Sequence, residues 1–435
     1  MTYPHFLSRR RRLLQTIGNG VAVIPTAPEV IRNRDAHYPY RFDSYFWYLT
    51  GFPEPEAVLV LVGAKGKSRP KSILFCREKH EEREIWEGYR YGPKAAKAAF
   101  GFDAAYSIEQ LDKKLPQLLA DREALWHGIG YDAAWDARIA QALNAVRAQT
   151  RAGRQAPRTV HDLRTELDTM RRIKDAHELE IMQRAADITS AGHVRALRAC
   201  RPGMGEYALE AELTYEFRRL GAAAHAYTPI VAGGANACVL HYVENSKTLR
   251  DGDLVLIDAG CEVEGYAADI TRTFPVNGRF SPAQKDVYEI VLAAQAAAIA
   301  AAAPGQSFMA GHDAAVRVLT QGLVDLKLLA GGIDSLIEKG EFRRFYMHRT
   351  GHWLGLDVHD ASEYKEGEQW TVLQPGMTLT VEPGLYIRPG PDVPAALAGI
   401  GIRIEDDVRI TADGCEVYTT APKTVRDIEE SMRHD

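Results

Sequence analysis

Residues 254–278 read LVLIDAGCEVEGYAADITRTFPVNG, and the way this stretch folds decides the architecture. Leu254 to Ile257 is an aliphatic run of the buried-strand type, and Asp258 stands where another aliphatic residue is due. Eleven positions later Asp269 sits inside a second strand-like run. Side chains alternate along a strand, so Leu254, Leu256 and Asp258 share one face. A hairpin turning at Val263–Glu264 sets Asp258 opposite Asp269, at the ~5 Å Cβ spacing of facing residues. Two anionic carboxylates at that spacing repel, and burying them unpaired is costly. Either a cation lies between them or one carries a proton.

The same pattern returns downstream. DGDLVLIDAG (Asp251–Gly260) is echoed by PGMTLTVEPG (Pro375–Gly384): a turn glycine, a strand-like run, an acidic residue, then glycine two places on. GYAAD places Asp269 four residues after Gly265, and GIRIE places Glu405 four residues after Gly401. Two halves, each with two strand-borne carboxylates, are the trace of a pseudo-twofold domain. Arg403 and Glu405 lie on one strand face while Ile402 and Ile404 point to the other. Glu382 ends the run Thr378–Val381, ahead of Pro383.

Four carboxylates converging from strand ends call for divalent cations, two of them. Between the halves, MHRTGHWLGLDVHD (Met347–Asp360) supplies His348, His352 and His359. One imidazole added to four carboxylates makes an oxygen-rich site that favours Mn²⁺, with Zn²⁺, Co²⁺ or Fe²⁺ as other occupants. Paired metals ~3.5–4 Å apart share a hydroxide and lower its pKa towards neutrality. Each residue also has a plain alternative: a strand-end Asp forms turns, a strand Glu faces water, and a loop His satisfies a carbonyl.

The rest of the chain bounds the answer. Its 435 residues exceed one core, so two domains are expected. With 46% hydrophobic and 26% charged residues and a net charge of −5, it reads as globular, with no electrostatic case for nucleic acid. The alanine-rich tract Ile290–Pro304 is too short to span a bilayer. The basic run Arg9–Arg12 is followed by no apolar signal core and reads as a solvated helix face. Five scattered cysteines without C-x-x-C suit a reducing cytoplasm, and Cys261 reads as a buried thiol. VAVIP (Val21–Pro25), EAVLVLVG (Glu56–Gly63) and SILFC (Ser72–Cys76) read as strands. The polar stretch RAGRQAPR (Arg151–Arg158) reads as an interdomain hinge. A helix follows through Leu179, Ile181, Met182 and Ala185, and another spans Ala283–Ala303. Gly66-Lys67-Ser68 lacks the first glycine of a phosphate loop, no H-E-x-x-H occurs, and no G-x-S-x-G occurs.

Taken together, LIDAGCEVEGYAADITRTFPVNG, HWLGLDVHD, TVEPGLYI and GIGIRIEDD resemble the Xaa-Pro aminopeptidases (aminopeptidase P), metallopeptidases of the pita-bread fold. HYPYRFDSYFWYLTGFPEPEAVLVL (His37–Leu61) resembles the amino-terminal domain that accompanies them. The resemblance implies an α/β (α+β) chain: a smaller α/β domain over residues 1–172, then a pita-bread domain with pseudo-twofold antiparallel sheets over residues 173–435. It implies that Asp258 chelates one metal, Asp269 and Glu405 bridge both, and His352 and Glu382 hold the second. The bridging hydroxide would attack the carbonyl before a proline nitrogen, with Glu382 shuttling the proton.

His359 in LDVHD and His241 in VLHYVEN would contact the substrate and stabilise the tetrahedral intermediate. Arg403 would orient a bridging ligand. His348 would face substrate or serve the structure. Trp86, in EIWEGYRYG, would reach a neighbouring subunit's pocket in oligomeric relatives or else sit in a core.

The implied activity is release of the first residue from peptides with proline second, by a cytoplasmic homo-oligomer, dimer or tetramer, with no nucleic-acid or membrane partner. An Xaa-Pro dipeptidase (prolidase) shares the metal set. A methionine aminopeptidase usually lacks the large amino-terminal domain, and a non-catalytic binding protein would lose ligands that are all present here.

Overall fold

A computed structural model describes residues 4–433. The chain forms two compact units, Met1–Asp168 and Thr169–Asp435. The first is built on a six-stranded mixed sheet. From edge to edge its strands are Ala104–Ser107, Lys71–Cys76, Val58–Val62, Val21–Pro25, Ala124–Trp126 and Thr159–His161. The central strands are apolar on both faces, as buried strands are. Val23, Val60, Ile73 and Leu125 pack against Leu111, Leu115 and Leu119 of one helix and Ile139 and Val146 of another.

Two expectations fail in this unit. The stretch 151–158 is no hinge: the chain continues into the edge strand Thr159–His161, which pairs in parallel with Ala124–Trp126. The boundary falls instead inside the helix Leu163–Arg172. Nor is Arg9–Arg12 wholly solvated, because Arg9 and Arg10 are buried. Arg10 donates to Leu49 O at 2.9 Å, Phe100 O at 2.9 Å and Gly101 O at 3.1 Å. Those carbonyls belong to the ends of the helices Ser44–Thr50 and Gly92–Phe100, where unsatisfied C=O groups attract a cation.

The second unit holds the opening stretch. The strand Leu254–Asp258 lies between Ile230–Gly233 and Thr271–Pro275, antiparallel to both. Leu254, Val255, Leu256 and Ile257 are all buried, worth ~1.5–3 kcal/mol each. A short inner hairpin, Cys261–Val263 with Tyr266–Ala267, joins the outer strands. The second half repeats this plan: Thr378–Val381 pairs antiparallel with Asp406–Ile410, and Gly384–Ile387 with Ile400–Arg403.

The register differs from the expected one. The turn centres on Glu264 and Gly265, at φ 50° and 86°, so Val263 faces Tyr266 and Asp258 faces Thr271 rather than Asp269. Two central residues at positive φ mark a type I′ hairpin, and the glycine supplies one of them without strain. Around the sheets run the helices Ala176–Ala199, Glu206–Arg219, Pro282–Ala301 and Ala310–Asp325, packed in consecutive pairs. The first opens on a reciprocal cap between Asp175 and Glu178.

Candidate active site

The acidic residues stand where strands stop. Asp258 is the last residue of its strand. Asp269 lies in the break between Tyr266–Ala267 and Thr271–Pro275, two places short of the residue facing Asp258. The break depends on Gly260, where an added Cβ would come within 1.7 Å of Ala268 O. The Tyr227 hydroxyl then donates to Asp258 Oδ1 at 2.6 Å and also to Asp269 Oδ1. The two aspartates are neighbours through a diagonal rather than a direct pair.

Glu382 and Glu405 occupy equivalent places in the second half. Glu382 follows Val381, and its amide donates to Thr350 O at 2.8 Å. Glu405 sits between Arg403 and Asp406, its amide donating to Thr271 O at 3.0 Å. The Thr271 hydroxyl donates to Glu405 Oε2 at 2.6 Å.

His352 is laid against this cluster by backbone pairing of its loop with Thr380, which demands glycine at 351: a Cβ there would meet Thr380 O at 2.0 Å. Its Nδ1 donates to Trp353 O at 2.9 Å, which fixes the tautomer and leaves Nε2 for the carboxylates. Nε2 lies 3.5 Å from Asp269 Oδ2 and 3.7 Å from Glu382 Oε1. Ligand atoms of Asp269, His352 and Glu405 all fall within 4.8 Å of one another.

Burial and like charge set the electrostatics of this cluster. Burial first, and then the neighbouring carboxylates, raise the pKa values of Asp269 and Glu405. Burial pushes Glu382 up to about 7, partly offset by His352 and Arg403. At His352 burial opposes the imidazolium, yet the Asp269 hydrogen bond and the charges of Glu382 and Asp269 lift it to about 9. The carboxylates draw protons because they are buried and repel one another, and among the described residues Arg403 makes its ion pair with Asp258, at 2.5 Å. A hard, oxygen-rich donor set of this kind fits divalent cations.

Around the cluster lies a cavity of about 590 Å³. Its lining brings together Asp258, Asp269, His352, Glu382 and Glu405 with His241, His348, His359 and Arg403. Ile230, Leu240, Val243, Val358 and Tyr364 supply an apolar wall. Both nitrogens of His348 are engaged, Nδ1 with Arg349 O at 2.7 Å and Nε2 with the Tyr386 hydroxyl at 2.8 Å. Burial, reinforced by the Arg403 charge, holds its imidazole neutral with a pKa of about 3. The His359 ring packs edge-on to that of His352, and burial followed by His352 lowers its pKa. Trp86 belongs to the first unit, on the helix Glu81–Glu87, where it is 87% exposed and so forms no part of a core.

Three contributors were missed from sequence. Tyr227 precedes its strand in a loop and carries no periodic signal. Thr271 reads as an ordinary strand threonine. Tyr386 was legible: alternation from Glu382 puts residues 384 and 386 on its face, with Gly384 leaving room for the ring. The Tyr386 hydroxyl accepts from Arg403 NH1 at 3.0 Å, linking His348 to Arg403 and thence to Asp258.

Comparisons with known proteins show the family. Residues 180–412 match the model of metallopeptidase family M24, and residues 6–126 match the aminopeptidase P N-terminal domain. The Xaa-Pro aminopeptidase of Escherichia coli K12 is 46% identical, over 98% of this chain and 97% of its own. Human Xaa-Pro aminopeptidase 3 is 36% identical, over 94% of this chain and 80% of its own. The structure of Pseudomonas aeruginosa aminopeptidase PepP superposes with a TM-score of 0.97 at 49% identity, covering 99% of this chain and 97% of the other. A variant E. coli aminopeptidase P in complex with substrate gives 0.96 at 45%, covering 99% and 98%.

Proposed function

The chain belongs to the Xaa-Pro aminopeptidases of metallopeptidase family M24, and from that premise we propose how its residues release the N-terminal residue of peptides with proline second. Residues 173–435 do the chemistry and residues 1–172 form the accessory domain. The observation that carries this reading is the convergence of the five acidic and imidazole ligands with His241, His348 and His359 on one cavity.

In this reading Asp258, Asp269, His352, Glu382 and Glu405 would hold two divalent ions, Mn²⁺ being preferred by four carboxylates and one imidazole. Such a pair, when bound, supplies Lewis acidity and an acidified water that reacts at neutral pH. The protein's part is orientation and proton traffic. Arg403 and Tyr227 fix Asp258, Thr271 fixes Glu405, and Trp353 O fixes the His352 tautomer. Glu382 takes the proton of the attacking water and delivers it to the departing prolyl nitrogen. His241 and His359 hydrogen-bond the substrate carbonyl as its oxygen gains charge. His348 shapes the wall behind them, and Trp86 serves a neighbouring copy's pocket.

The reading extends to a homo-oligomer, dimer or tetramer, in the cytoplasm, the latter supported by five free thiols. Hydrolysis of matched substrates by the Mn²⁺-loaded protein tests it: an Xaa-Pro-Xaa tripeptide, an Xaa-Pro dipeptide and an Xaa-Ala-Xaa control. Release of the first residue from the proline tripeptide alone is expected. Cleavage of the dipeptide alone would make the protein a prolidase, and cleavage of the alanine control would remove the proline requirement.

A further inference from the structure

Glu206 opens the helix Glu206–Arg219 and is 0% exposed, outside the cavity described above. No cation among the described residues lies within ion-pair distance of its carboxylate. Four donors saturate it instead. Oε1 accepts from Gly233 N at 2.8 Å and Asn236 Nδ2 at 3.0 Å. Oε2 accepts from the Tyr242 hydroxyl at 2.9 Å and Lys247 N at 2.8 Å. All four belong to residues 233–247, the segment that carries His241.

A buried carboxylate is costly unless its lone pairs are filled, so an apolar side chain would pack this helix end more cheaply. What the carboxylate adds is a fixed junction for one loop. Backbone bonds reinforce it, Glu206 N to Lys247 O at 2.9 Å and Leu249 N to Met204 O at 2.8 Å. One turn further along the helix, Glu210 accepts from Asn245 Nδ2 at 2.8 Å; Asn245 itself holds φ 47°.

His241 depends on this junction. Among the described residues no group hydrogen-bonds its ring, although it lines the cavity together with His348 and His359. Its neighbour Tyr242 is buried and tied to Glu206. The ring is therefore placed by its backbone, and the backbone by Glu206. We propose that Glu206 is a positioning residue for His241, holding the 233–247 loop so that the imidazole meets the substrate. The proposal rests on the reading of His241 as a substrate-contacting group.

A double-mutant cycle tests it. Glu206→Gln turns one acceptor into an amide that faces backbone donors, and should lower kcat/KM on the proline tripeptide about tenfold with metal content unchanged. In a His241→Ala background the same change should cost about twofold or less, because the residue it positions is gone. Equal losses in both backgrounds would reduce Glu206 to a general structural role and overturn the proposal. If Glu206→Gln does not fold, Tyr242→Phe removes one of the four bonds and runs the same cycle. Hydrogen exchange is the readout independent of turnover: protection over residues 233–247 should fall in the variant while that of 254–275 holds. Unchanged protection there also overturns the proposal. A wild-type protein that leaves the tripeptide intact refutes the activity instead, and the exchange result then decides the positioning claim alone.

Discussion

Replacing Asp360 by asparagine removes the counter-charge from two cations that have almost no access to water. Asp360 Oδ1 accepts from Arg171 at 2.5 Å and Oδ2 from Lys174 at 2.9 Å, with all three side chains at most 2% exposed. Breaking a buried pair by removing one partner costs about 3–5 kcal/mol. The lower end applies here, because Asp357 still faces Arg171 at 2.7 Å. For a unit of this size each kcal/mol moves the melting temperature by about 2–4 °C, so a fall of roughly 6–12 °C is expected. Calorimetry at pH 7, on both proteins at equal concentration and metal loading, measures it.

The pH dependence carries a sign. Burial alone would raise the Asp360 pKa, but the charges of Lys174 and Arg171 more than reverse this and hold it below the ordinary value. A depressed native pKa gives stability that is complete above the unfolded value, ~3.9, and is lost as pH falls through the native one. The gap between wild type and variant should therefore persist from neutrality to about pH 5 and close under stronger acid. A shift below 2 °C at pH 7, or a gap that widens in acid, would refute the reasoning.

Other outcomes follow from the same geometry. Asp258→Ala should abolish metal-dependent turnover and lower bound metal together, measured by elemental analysis and tripeptide hydrolysis; a binding-only protein would keep its partner. Tyr227→Phe removes the hydroxyl shared by Asp258 and Asp269, and metal affinity should weaken about 10–100-fold with the fold intact by circular dichroism. Arg10→Met leaves three helix-end carbonyls, one buried and two part-buried, without this donor and should destabilise the first unit by about 2–4 kcal/mol, seen in urea unfolding.

The parts of this molecule that could be read from sequence are those where local pattern and chemistry coincide. The run ending in Asp258 and its echo ending in Glu382 marked two matching strand plans, because a short run bounded by turn glycines and buried on both faces fits a sheet strand. The register was not legible by counting alone: the hairpin turns where Glu264 and Gly265 accept positive φ, one place later than expected, and that moved the partner of Asp258 by two residues, from Asp269 to Thr271. Buried arginines escaped for a different reason. Arg9 and Arg10 look like a solvated face until helix ends distant in sequence present their carbonyls. Tyr227 and Glu206 act through contacts made only after the strands assemble, so neither announces itself by spacing. Trp86 shows the reverse case, an aromatic residue assigned either to a core or to a partner and found exposed on its own helix.

The most direct test of the central claim is metal stoichiometry coupled to turnover. The protein is stripped with chelator, reloaded with Mn²⁺, and assayed for bound metal and for cleavage of an Xaa-Pro-Xaa tripeptide. Two ions per chain, with cleavage lost on stripping and restored on reloading, is the expected result. Cleavage that survives stripping, or reloaded protein that binds no divalent metal, would contradict the account of why these carboxylates meet.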